Sequence, residues 1–111
     1  MATSASGVTF ERDGGRLTIR IAGDLDAATV PDALRQVMGA LEGQVDGIVV
    51  DLSRCGFCDS SGIMLLFRVS GAAEANGATC VVTDPTGPVR KVLELADPNG
   101  VLVVEPRQPG G

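Results

Sequence analysis

The sequence predicts one α/β domain, a mixed sheet of four or five strands with helices packed mainly on one face. Three observations predict it. The chain has 111 residues, room for one ordinary hydrophobic core and not for two. Short apolar runs such as Ile48-Val49-Val50 and Cys80-Val81-Val82 alternate with segments whose apolar residues recur at helical spacing, the pattern of βαβ units. Hydrophobic residues make up 44% of the chain, yet Trp and Tyr are absent and Phe appears three times. The core must therefore be aliphatic, which suits buried Val and Ile strands under helices.

The elements follow in order. Val8 to Glu11 reads as a short strand, and Asp13-Gly14-Gly15 is a strong hairpin signal. Leu17 to Ile21 alternates apolar and polar residues, as a half-buried strand does. After the break at Gly23-Asp24-Leu25-Asp26, Val30, Leu34, Val37, Met38 and Leu41 form one helical stripe. Thr29 or Asp26 can cap that helix, Pro31 suits its first turn, and Gly43 is a plausible stop. Gly47 to Leu52 is continuously apolar enough to be a central strand covered on its faces.

A loop from Ser53 to Ser60 leads to a second helix over about 61–75, with Ile63, Leu66, Phe67 and Ser70 on one face. Asn76-Gly77 terminates it. Thr79 to Val82 is another buried strand. Thr86 can cap a third helix whose apolar face is Val89, Val92, Leu93 and Ala96. A turn at Asp97-Pro98-Asn99-Gly100 precedes the last strand, Val101 to Val104. Residues 1–7 are expected to be a disordered N-terminus, residues 8–105 the domain, and residues 106–111 a flexible tail.

Composition excludes several functions. The formal net charge is −5 and there is no histidine. A phosphate-tracking face needs clustered Lys and Arg, whereas the nine basic residues here are scattered, so no nucleic-acid partner is expected. The commonest general base and metal ligand are both missing, and neither a metal nor a cofactor is expected. Met1 to Gly7 lacks the charged and apolar regions of a signal peptide. No apolar run approaches the roughly 20 residues of a membrane helix. A cytoplasmic location with reduced thiols is the expectation for the three cysteines.

The informative segment runs from Asp51-Leu52-Ser53 through Phe57-Cys58-Asp59-Ser60-Ser61-Gly62. It joins the end of a buried strand to the start of a helix, the edge where α/β sheets carry their sites. Unpaired amides and the positive dipole end there favour an oxygen-bearing side chain, and equally a phosphate. On the residues alone, the commoner meaning is that Asp59 and Ser60 cap the helix and Gly62 allows close packing.

From about Leu17 to Val104 the chain resembles the STAS family, and within it the single-domain antagonists of anti-sigma factors. Gly23-Asp24-Leu25-Asp26 with Thr29 is similar to the family's Gly-Glu-Leu-Asp after the second strand. Val49-Val50-Asp51-Leu52-Ser53 followed by Asp59-Ser60-Ser61-Gly62-Ile63 resembles its Asp-Leu-Ser and Asp-Ser-Ser/Thr-Gly-Leu. Asn76-Gly77 before a strand and Pro88 to Leu93 complete the order. Met64 stands where the family often has a small residue.

The resemblance implies a STAS-like fold and a phosphorylation switch, not an enzyme. Ser60 would be modified by an anti-sigma factor with serine kinase activity and restored by a serine phosphatase. Asp24, Asp26, Thr29, Asp59, Ser60, Ser61, Gly62 and Ile63 would meet the partner, in a monomer or weak dimer with no membrane contact. An alternative within the family is a STAS module without the switch, an accessory subunit of a transporter or a signalling assembly.

Two other constellations compete. Cys55-Gly56-Phe57-Cys58 has the spacing of thioredoxin-like redox sites, though the helix begins after its second cysteine. Two semi-buried structural thiols are the plainer reading, with Cys80 a small hydrophobe in a strand. Asp24 and Asp26 lack a third acidic neighbour in sequence, so a solvated loop fits better than a metal site. Arg90 and Lys91 read as an exposed helix face.

Overall fold

The first two strands form the predicted hairpin. In the computed structural model, which describes residues 7–43 and 45–105, β1 (Val8–Asp13) pairs antiparallel with β2 (Arg16–Ala22). Their two-residue turn places Gly14 at φ +62, a conformation that glycine adopts without penalty and tight hairpins use. Asp13 thus belongs to the strand and not to the turn. Residues 1–6 and 106–111, expected to be disordered and flexible, lie outside the described residues.

From β2 onward every connection crosses over through a helix. The order is α1 (Val30–Ala40), β3 (Gly47–Arg54), α2 (Ser60–Ala75), β4 (Thr79–Thr83), α3 (Gly87–Ala96) and β5 (Val103–Glu105). The five strands lie side by side in chain order, and β2 to β5 are parallel. Each crossover steps to the next strand in the same direction. Right-handed connections therefore stack all three helices over one face.

That stacking corrects one expectation. The central strand β3 is covered on one face only: Ile48, Val50 and Leu52 are buried, while Val49, Asp51 and Ser53 between them are half-buried. The same alternation runs through β2, where Leu17, Ile19 and Ile21 are buried and Arg20 is exposed. One aliphatic cluster joins these side chains to Val37 of α1, Leu65, Leu66 and Val69 of α2, and Val89 and Leu93 of α3. Ala96, expected on the inner face of α3, is exposed.

The helix starts and the last strand differ from expectation in detail. Thr29 precedes α1, but its hydroxyl donates to the Asp24 carbonyl at 2.8 Å. The amides of Ala28 and Thr29 are instead accepted by Asp26 Oδ1 at 2.9 and 3.1 Å. Thr86 likewise makes no cap bond; its hydroxyl donates to the Cys55 carbonyl at 2.9 Å and ties α3 to the loop after β3. Asp97 accepts the amides of Val101 and Leu102 at 2.9 and 2.8 Å. Those groups are thereby occupied, and β5 begins at Val103, two residues later than expected.

Candidate functional site

The loop after β3 and the loop after β2 meet at one end of the sheet. The Leu25 amide donates to the Phe57 carbonyl at 2.9 Å, and the Asp59 amide donates to the Leu25 carbonyl at 3.1 Å. This short parallel bridge between Leu25 and Cys58 carries Asp24 and Asp26 to the start of α2. Leu25 is the anchor, completely buried. Two segments 30 or so residues apart in sequence thus form one surface.

At the start of α2, Asp59 is the cap. Its Oδ1 accepts the Ser61 amide at 2.8 Å and the Gly62 amide at 3.4 Å, satisfying donors that a helix start otherwise leaves open. Ser60 is already the first helical residue, one position earlier than predicted. Its side chain is exposed and takes no part in capping. Neither the Ser60 nor the Ser61 hydroxyl bonds to any other described residue, and Ser61 is half-buried.

The other expected partner contacts divide by burial. Asp24 is exposed, and Asp26, Thr29 and Asp59 are half-buried at the same surface. Gly62 and Ile63, expected among the contacts, are buried and shape the site from beneath. A Cβ on Gly62 would sit 2.5 Å from Cys58 Sγ and 2.8 Å from Leu25 Cβ. Glycine is what lets α2 close on the bridge.

Sequence reasoning singled out Met64 but missed the apolar groove it lines beside Ser60. A groove of about 430 Å³ runs between α1 and α2, lined by Ala27, Val30, Pro31, Leu34, Ser60, Ser61, Met64, Leu65 and Arg68. Met64 is 59% exposed, one turn along α2 from Ser60. A large apolar residue on the outward side of an amphipathic helix was the available signal. Phe57, half exposed on the bridging loop, is a second such residue.

The environment of the thiols is unlike that of a redox pair. Cys55 and Cys58, expected to be semi-buried, are 0% and 1% exposed. Burial pushes the Cys58 thiol up to about 12, with the Cys55 and Asp59 charges adding to the shift; burial also raises Cys55. A catalytic thiol needs the opposite shift, because the thiolate is the nucleophile. Both thiols should therefore resist iodoacetamide at pH 8 in the native protein, gain reactivity as pH rises toward 12, and react fully in denaturant. Mass spectrometry of the alkylated peptides checks this, and rapid native modification of Cys58 would contradict it.

Among the described residues no cluster of three His, Cys, Asp or Glu side chains could hold a metal ion. None of their helices is long and apolar enough to cross a membrane. What the site offers chemically is an accessible hydroxyl, a capped helix start and an apolar groove.

Comparison with known proteins places this geometry. The family model described as "Mlab, STAS domain" matches residues 8–105. The anti-sigma factor antagonist SpoIIAA in its unphosphorylated form is 23% identical, with a TM-score of 0.77 over 92% of this chain and 89% of that one. The Bacillus cell fate determinant SpoIIAA in its phosphorylated form is also 23% identical, with a TM-score of 0.71 over 92% of each chain. An anti-sigma factor antagonist from Mycobacterium paratuberculosis is 18% identical, with a TM-score of 0.80 over 96% and 92%. At these identities the likeness is one of fold. A search of curated proteins gives no match.

Proposed function

Because this chain belongs to the STAS family, we propose that it is an anti-sigma-factor antagonist switched by phosphorylation of Ser60. One observation carries the reading: an exposed Ser60 hydroxyl without a bond to any described residue, beside a cap that Asp59 already supplies. A serine that merely capped the helix would spend its oxygen on an amide. This one has its oxygen available to a kinase.

The mechanism follows from the surface. Unmodified, the Ser60 turn, the Asp24–Asp26 loop and the apolar groove dock onto an anti-sigma factor and release the sigma factor. That anti-sigma factor, acting as a serine kinase, transfers a phosphoryl group from ATP to Ser60 Oγ; the new O–P bond replaces the bond to ADP, and the hydroxyl proton leaves to a base on the kinase. The chain contributes only the acceptor and is no enzyme itself. The phosphate brings roughly −1.5 to −2 charges next to the carboxylate of Asp59. Repulsion and desolvation then oppose docking, and a serine phosphatase resets the surface. SpoIIAA matches this fold in both its unphosphorylated and its phosphorylated form, which supports a local switch without refolding. ATP-dependent control of this kind belongs in the cytoplasm, and it requires neither cofactor nor nucleic acid.

Incubation with candidate anti-sigma kinases and ATP, followed by mapping of the modified residue, tests the proposal. Phosphate on Ser60 is expected, and Ser60→Ala should still bind the kinase yet take up none. Modification confined to another residue would overturn it. A second reading rests on the matched family description, which names Mlab and no antagonist: a STAS module without the switch, serving a transporter or signalling assembly. Recovery of an ABC transporter subunit in place of an anti-sigma factor by affinity capture, with Ser60 unmodified, would decide for it.

A further inference from the structure

A second concave site lies on the face of the sheet that no helix covers. It is a cavity of about 630 Å³ lined by residues of β1, β2 and β3 with Gly7 at its rim, a volume typical of small-molecule sites. It sits toward the carboxyl ends of β2 and β3. A bulge shapes it: Arg20 pairs with Asp51, but Ala22 pairs with Arg54, so β3 carries one extra residue there. Bulges of this kind re-aim side chains beside functional sites.

The charges in the cavity are unequally committed. Arg20 donates through Nη1 to Glu11 at 2.7 Å, and its Nε lies 3.6 Å from Asp51 Oδ2. Asp51 Oδ1 accepts the Ser53 amide at 2.9 Å. The long approach to Arg20 leaves Oδ2 with capacity for a further donor. Arg54, by contrast, forms no ion pair among the described residues. Among the described residues the cavity therefore offers one unpaired guanidinium and one acceptor, with Thr9 and Ser53 also in its lining.

We infer that this cavity binds a small hydroxylated carboxylate. Arg54 takes the carboxylate in the planar, two-pronged geometry a guanidinium favours. Asp51 accepts a hydrogen bond from a hydroxyl close to the ligand's charged end. A single negative charge matches the single uncommitted cation, whereas the second charge of a phosphate dianion would find no cation to match it and would face the carboxylate of Asp51. The volume of about 630 Å³ leaves space for a body of several more atoms. The inference is independent of the phosphoserine reading.

Titration of the isotope-labelled full-length protein with lactate, propionate, gluconate and inorganic phosphate, followed by amide NMR shifts, tests it. Lactate and gluconate should shift the amides of Gly7, Ala22, Ser53 and Arg54 in a saturable way, gluconate binding more tightly. Propionate, which lacks only the hydroxyl of lactate, should bind several-fold more weakly, and phosphate more weakly still. Arg54→Gln should weaken gluconate by about tenfold or more, with amide shifts away from the cavity unchanged as proof of fold. Non-saturating shifts with every probe, equal binding of lactate and propionate, or an Arg54→Gln variant that binds normally would each overturn the inference.

Discussion

Gly62→Ala is expected to lower the stability of the fold by about 3 kcal/mol, the upper part of the range for overpacked cores. The added methyl has nowhere to go. It would stand 2.5 Å from Cys58 Sγ, 2.8 Å from Leu25 Cβ and 3.1 Å from the Leu25 carbonyl oxygen, and all three belong to the bridge that joins the two functional loops. Cys58 and Leu25 are buried, so neither can swing into solvent. Relief would require α2 to back away and break the Leu25–Cys58 pairing. In a domain of this size the loss corresponds to a drop in Tm of roughly 10–15 °C. Calorimetry reads the effect directly. The intrinsic gain in helix propensity from Gly to Ala is about 1 kcal/mol in the opposite direction, so a stabilised Gly62→Ala protein would mean the close approach is not rigid.

Ser60→Asp should separate binding from folding. At the first position of α2 a carboxylate faces the positive end of the helix dipole and stabilises the free protein by about 0.3–1 kcal/mol. In a complex the same charge must leave water against an apolar groove and beside Asp59. An unpaired charge in an interface costs roughly 2 kcal/mol or more, about a 30-fold loss of affinity. The expected result is a variant with unchanged or raised Tm that binds the anti-sigma factor at least that much more weakly, measured by calorimetric titration. Affinity equal to that of the natural chain would remove the electrostatic basis of the proposed switch.

Much of this fold was legible in the sequence because periodicity reports burial. The alternation in Leu17 to Ile21 and the helical stripe from Val30 foretold β2 and α1 to within a few residues. Where the reading slipped, tertiary partners had decided the outcome. Val101 and Leu102 look like strand, but their amides belong to Asp97, a bond no local pattern announces. Val49 looks like the inside of a two-sided sheet, yet the direction of the crossovers leaves its face open. Asp59 and Ser60 were both plausible caps, and only geometry shows that Asp59 caps and Ser60 does not. The groove beside Ser60 is composed by two helices, and a single chain order cannot display it.

The margin of the sheet at β5 is three residues long and paired with β4, and the two residues before it are tied to the end of α3 through Asp97. Opening should start there, where few hydrogen bonds must be broken at once, and its amides should exchange with deuterium earliest. The interior pair β2–β3 lies at the other extreme, exchanging only when the whole molecule unfolds. Because the bridge beneath Ser60 grows from that pair, fraying at the far edge leaves the Ser60 turn undisturbed.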